Sequence, residues 1–152
     1  MSKLFDKSAI NSLELKNRFV RSATWEGMAD ENGNPAPQLL ETMTALAAGG
    51  VGLIITSHAF ISPEGRATPW QLAIDKDERI DGLRKMTDTV HAAGGRIAVQ
   101  LAHAGAFAAA ALSGMPRLVV SPAEGSDPSP QKEMETKDIK AIIEAYAAAA
   151  ER

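Results

Sequence analysis

Arg96-Ile97-Ala98-Val99-Gln100-Leu101-Ala102-His103-Ala104-Gly105 is the stretch from which the fold can be read. It is entered from Gly94-Gly95, and its apolar run, rich in Ile and Val, predicts a strand buried on both faces. At the end of that run the chemistry changes abruptly, to Gln, then His, then Gly. In parallel α/β proteins ligands bind at the C-terminal ends of strands, where loops vary while the sheet holds them in place. A Gln amide carries both a carbonyl acceptor and an N–H donor. Gln100 therefore suits the edge of a planar heterocycle that alternates N–H and C=O groups. It equally suits a polar strand end facing water.

The same punctuation occurs upstream. Pro37 fits the first turn of a helix in which Leu39, Leu40, Met43, Leu46 and Ala47 recur at helical spacing, and Gly49-Gly50 supplies the stop. Val51-Gly52-Leu53-Ile54-Ile55-Thr56-Ser57 follows at once as a second buried strand, running out in hydroxyl residues and His58. Asp77-Glu78 introduces a second helix with Ile80, Leu83, Met86, Thr87 and Val90 on one face, and Gly94-Gly95 ends it. Two helix-to-strand junctions thus share one device.

Earlier in the chain, Asn17-Arg18-Phe19-Val20-Arg21-Ser22-Ala23-Thr24 predicts a first core strand. The alternating Ile10-Asn11-Ser12-Leu13-Glu14-Leu15 predicts a short, half-exposed piece that covers one end of the sheet as a hairpin-like lid. Asp30-Glu31-Asn32-Gly33-Asn34-Pro35 is turn chemistry, and Ser62-Pro63-Glu64-Gly65-Arg66 is a loop. Residues 106–135, with Pro116, Pro122, Pro128 and Pro130, read as loop. Thr136 is the expected N-cap of a third helix, Asp138 complements its macrodipole, and Ile139, Ile142, Ile143, Tyr146 and Ala150 line one face, with Tyr146 expected in the core.

Strands alternating with helices at roughly 35 to 45 residues make right-handed βαβ crossovers and a parallel sheet. No G-x-G-x-x-G follows a strand and no G-x-x-x-x-G-K-[ST] occurs, which argues against a dinucleotide-binding Rossmann unit and a phosphate loop. An α/β (β/α)8 barrel that begins at its first unit fits better. A complete barrel needs about 200 residues or more. The 152 residues are therefore expected to supply about its first three β/α units, residues 1–152 forming part of a single domain.

Composition narrows the function classes. An apolar share of 45% is enough for a globular core, and a formal net charge of −3 leaves no electrostatic footprint for nucleic acid or an anionic membrane. With no Cys there is no disulfide, thiolate metal site or Cys nucleophile. The Met-Ser-Lys-Leu-Phe-Asp start lacks the apolar region of a signal peptide, and no apolar run approaches the length of a membrane span, so a cytoplasmic location is expected.

Four blocks in register carry a resemblance. They are Leu15-Lys16-Asn17-Arg18-Phe19-Val20-Arg21-Ser22-Ala23-Thr24, Gly49-Gly50-Val51-Gly52-Leu53-Ile54-Ile55, Ser62-Pro63-Glu64-Gly65-Arg66 and Val99-Gln100-Leu101-Ala102-His103-Ala104-Gly105. Together they resemble the N-terminal part of the old yellow enzyme family of FMN-dependent TIM-barrel oxidoreductases. The resemblance implies a cofactor site. Ser22, Ala23, Thr24 and Trp25 would pass beneath the flavin ring, largely through backbone groups. His58 would lie on its pyrimidine and N5 side, and Gln100 would bond the pyrimidine edge. It also implies hydride transfer from NADH or NADPH to FMN, then from flavin N5 to a small activated alkene such as an enone, the cofactor carrying the chemistry that the protein orients.

Two positions depart from the family pattern. Trp25 stands where many relatives place Cys or Thr, and Ala106 stands where an Arg usually follows His-Ala-Gly. The His-rich substrate segment and the phosphate-binding elements of the family, which lie beyond the third unit, have no counterpart in these blocks. The chain alone is accordingly expected to be inactive.

Other readings of these residues stand beside that one. His58 also suits loop packing, Trp25 ordinary packing, and His103 a structural bond to a neighbouring loop. His91 is expected to be exposed near a helix end, and Asp75, Asp77 and Glu78 are explained by loop solvation and helix capping. A catalytically inactive barrel fragment, natural or engineered as a scaffold, would hide its sheet edges by self-association as a homo-oligomer. A TIM-barrel lyase or aldolase would need a strand-end Lys, which is missing.

Overall fold

The computed structural model describes residues 3–123 and 128–152. The chain starts with an antiparallel hairpin, β1 (Ser8–Ile10) against β2 (Leu13–Leu15). Then come β3 (Val20–Arg21), α1 (Pro37–Ala48), β4 (Leu53–Phe60), α2 (Ile80–Ala92) and β5 (Ile97–Ala102). Strands β3, β4 and β5 form one parallel sheet in that order, joined by the two helices as the Gly-pair junctions predict. After β5 the chain makes α3 (Ala110–Ser113) and the parallel pair β6 (Arg117–Val119) and β7 (Gln131–Glu133), where the sequence reads as loop, and ends in α4 (Thr136–Glu151).

The core lies between the helices and one face of the sheet. Leu39, Met43 and Ala47 of α1 and Met86 and Val90 of α2 bury against Ile54 and Ala59 of β4, with Ile61, Leu72 and Ile74 from the following loop. Ile97 and Leu101 of β5 pack against this cluster, so by the two-residue period of a strand Ala98 and Gln100 face the other way. That other face has no helix on it among the described residues. Among the described residues the outer edge of β5 is also unpaired. The expectation of a strand buried on both faces is therefore corrected, because Ala98, Val99 and Gln100 are exposed.

Three further expectations change. Of the first core strand predicted over 17–24, only Val20–Arg21 pairs in the sheet. Asn17 instead turns its side chain on the backbone, accepting the Phe19 N–H at 3.0 Å and donating to the Gly50 carbonyl at 2.7 Å. Helix α4 is capped by Glu135, not Thr136. The Glu135 side chain accepts from the backbone at Asp138, whose carboxylate accepts the Glu135 N–H in return. A hydrogen bond from Lys132, then that N–H, holds the Asp138 carboxyl below its ordinary value. Tyr146 is not core but 36% exposed, as are Ile139 and Ile143 to a greater degree, because only the Ile142, Ala145 and Ala149 stripe of α4 meets the rest of the chain.

The residue that follows the hairpin reaches the helix ends. The Lys16 ammonium donates to the Ala47 carbonyl at 3.1 Å and the Gly94 carbonyl at 3.3 Å, so one side chain caps the C-terminal ends of both α1 and α2. Gly52 is explained by the same corner. A Cβ there would stand 2.5 Å from Asn17 Oδ1 and 2.6 Å from its carbonyl oxygen.

Candidate functional site

At the other end of the sheet the strands deliver their side chains through an irregularity. Ile55 of β4 pairs with Ala98 of β5, but the next matched pair is His58 with Gln100, so β4 carries one extra residue there. This is a β-bulge, a device that re-aims side chains beside functional sites. Thr56 and Ser57 occupy it. The Thr56 hydroxyl donates to the Ser57 carbonyl at 2.8 Å and accepts the Gln100 N–H at 3.3 Å, taking over a ladder bond that the bulge disrupts. The outcome is that His58 and Gln100 stand side by side at neighbouring strand ends. Among the described residues neither the Gln100 amide nor the His58 imidazole has a hydrogen-bond partner. Gln100 is exposed on the face without helices.

Residues 22–25 leave the sheet directly after β3. Their ends are tied together, because Arg21 pairs with Glu26 and also donates to the Ile55 carbonyl at 3.1 Å. Both partners are largely buried, with side-chain exposures of 18% and 7%. Within the segment Thr24 Oγ1 donates to the Ser22 carbonyl at 3.2 Å, and Ser22, Thr24 and Trp25 are exposed. The structure thus brings Ser22, Ala23, Thr24, Trp25, His58 and Gln100 to one end of one sheet.

The sequence reading missed Gln71. It is fully buried, its Oε1 accepts the N–H groups of Ala67 and Thr68, and its Nε2 donates to the His58 carbonyl at 3.3 Å. A polar residue set among Leu72, Ala73 and Ile74 was the available signal.

His103, just past β5, bonds within its own loop where a bond to a neighbouring loop was expected. Its Nδ1 accepts the Gly105 N–H at 3.1 Å, its side chain is 6% exposed, and Nε2 lies 3.9 Å from Glu64 Oε1 without a hydrogen bond. Burial lowers its pKa below the ordinary His value, and the nearby Glu64 carboxylate opposes that shift. Where the family pattern has Arg and this chain has Ala106, the Ala106 carbonyl is held at 2.9 Å by the buried Arg117 from β6.

His91 is exposed near the end of α2, as read. Two of the three acidic residues make ion pairs rather than helix caps, Asp75 with Arg79 at 3.1 Å and Asp77 with Arg152 at 2.7 Å. Among the described residues no group of His, Asp or Glu is placed to hold a metal, and no helix is long and apolar enough to cross a membrane.

Comparison with known proteins agrees over nearly the whole chain. The model of the NADH:flavin oxidoreductase / NADH oxidase family matches residues 3–152. An NADPH dehydrogenase of Bacillus velezensis is 33% identical over 154 residues, covering 99% of this chain and 44% of that protein. A metal reductase of Desulforamulus reducens is 36% identical over 156 residues, covering all of this chain and 23% of that protein. Among solved structures, the old yellow enzyme homologue from Zymomonas mobilis superposes with a TM-score of 0.85 at 26% identity, covering 98% of this chain and 44% of that one. Morphinone reductase in complex with tetrahydroNAD superposes with a TM-score of 0.86 at 25% identity, covering 99% and 46%. The chain spans less than half the length of each of these relatives.

Proposed function

The chain belongs to the NADH:flavin oxidoreductase / NADH oxidase family, and from that premise we propose that it supplies the FMN-binding strand ends of an oxidoreductase. In this reading it forms about the first three units of a (β/α)8 barrel, with the β1–β2 hairpin as the lid over the N-terminal end. Bound FMN would supply hydride transfer, from NADH or NADPH and then through N5 to a small activated alkene such as an enone.

The pairing of His58 with Gln100 carries the reading. A partnerless amide at a strand end, aimed off the helix-free face, matches the alternating donors and acceptors of a pyrimidine edge. Residues of the 22–25 segment fit the ring itself, since among the described residues the N–H groups of Ala23, Thr24 and Trp25 donate to no loop or turn acceptor. In this arrangement Gln100 orients the cofactor edge, Gln71 fixes the backbone at His58, and the Arg21–Glu26 pair holds the 22–25 segment in shape.

The test is a visible absorbance spectrum of the purified protein, before and after FMN is added, together with its intact mass. Flavin bands that weaken in Gln100→Ala support the reading. A protein that takes up no FMN overturns it.

A second reading is favoured by the unpaired edge of β5 and by exposed Ile139, Ile143 and Tyr146 on α4. An inactive barrel fragment would cover these surfaces with another copy of itself. Light scattering on a size-exclusion column that finds a monomer excludes it.

A further inference from the structure

We propose that His103 is a positioning residue, packing the loop that leaves β5 onto the turn that leaves β4, and that proton uptake by its ring breaks the bond to Gly105 that holds the ring in that position. The consequence for cofactor binding rests on the flavin reading. The positioning itself does not.

The argument begins with the two ring nitrogens. Nδ1 accepts the Gly105 N–H at 3.1 Å, so in the neutral ring the proton sits on Nε2. Nε2 is buried with no hydrogen-bond acceptor in reach, Glu64 Oε1 lying 3.9 Å away. A second proton has one place to go, the Nδ1 lone pair. Once there it turns an acceptor into a donor that faces the donor of Gly105, and that bond breaks.

The ring is also the packing surface between the two loops. A Cβ on Gly65 would stand 2.5 Å from His103 Cδ2 and 2.8 Å from Cγ, so the imidazole lies flush on a residue that must be glycine. Around it run three backbone bonds between the same two segments: Ile61 N–H to the Ala102 carbonyl at 3.2 Å, Ala104 N–H to Gly65 at 3.0 Å and Ala109 N–H to Arg66 at 2.8 Å. His58 lies upstream of this seam on β4 and Gln100 upstream of it on β5. A seam fastened there holds both strand ends in register.

The charged groups around the ring do not offset the change. From the turn after β4, Glu64 faces Nε2 beyond hydrogen-bond distance, and burial of the ring outweighs its pull. Arg66 is turned away, its guanidinium over the Phe60 ring and its Nε donating to the Thr68 carbonyl. From β6, Arg117 is directed to the Ala106 and Ser129 carbonyls. Because burial lowers the folded pKa, the stability that the neutral ring contributes is present above the unfolded His value of about 6.5. It is lost as pH falls from there through the folded value.

The chain has three His, so nitrogen-15 NMR of the imidazoles resolves them. At neutral pH His103 is expected in the Nε2–H form. On acidification the Gly65 and Gly105 amide signals should move with its midpoint, and FMN affinity should fall about tenfold over the same range, the size of one lost hydrogen bond. His103→Asn places a non-titrating oxygen where Nδ1 stands, so it should keep the Gly105 signal and flatten the pH profile. Gly65→Ala pushes the ring away without removing it, and should give the acid-like Gly105 signal at neutral pH.

An Nδ1–H form, a Gly105 amide indifferent to the titration, or an unchanged pH profile in His103→Asn overturns the proposal. The tautomer and the amide shifts are read without flavin. Failure to bind FMN therefore refutes the functional reading while these signals still decide the positioning.

Discussion

At the N-terminal end of the parallel sheet, Lys16 donates to two helix-end carbonyls and Asn17 bonds the backbone on both sides. At the C-terminal end, Gln100 and His58 stand side by side with side chains that bond to none of the described residues. The two ends carry comparable polar residues, and the difference lies in what has been done with them. Groups satisfied within the fold serve stability. Groups left open on a rigid frame are available to a ligand.

That contrast can be broken by substitution. The largest effect is expected from Asn17→Ala, which strands the Gly50 carbonyl and the Phe19 N–H and should cost about 2–4 kcal/mol in denaturant unfolding, with no change in FMN affinity per folded molecule. Gly52→Ala pushes a methyl into the backbone of Asn17, and a loss of about 1–3 kcal/mol is expected by the same measurement. Gln100→Ala should do the reverse. Stability stays within about 0.5 kcal/mol, because the side chain is exposed and unbonded, while FMN binding, followed by fluorescence quenching, weakens by about tenfold. The smallest effect is that of Lys16→Met, about 1 kcal/mol, since its ammonium remains partly in water. If Gln100→Ala destabilises as much as Asn17→Ala, the two ends are not functionally distinct.

Much of this division can be read from residues alone. The Gly pairs before Val51 and Arg96 place the strands, and the polar ending of an aliphatic run at Gln100 marks the end proposed above for the ligand. The bulge at Thr56–Ser57 was not legible, because a single extra residue leaves the apolar pattern of β4 intact and shows only in the register with β5. Tyr146 was misread for a different reason. Helical spacing shows that a face is apolar but not whether a partner for it lies within the chain. The cap of α4 was available: Glu135 with Asp138 three residues on forms the reciprocal pair, and the preference for Thr as a cap concealed it.

The double capping by Lys16 also has a kinetic meaning. Its two acceptors lie 31 and 78 residues away along the chain, on segments that become neighbours only when both helices have settled on the sheet. Docking of the hairpin is therefore expected after that assembly, late on the folding path, with its contacts absent from the transition state. Weakening them should hasten unfolding and leave the folding rate nearly unchanged, as stopped-flow refolding of Lys16→Met would read. On this expectation the hairpin is the last of these elements to find its place, and the first to leave it when the molecule opens.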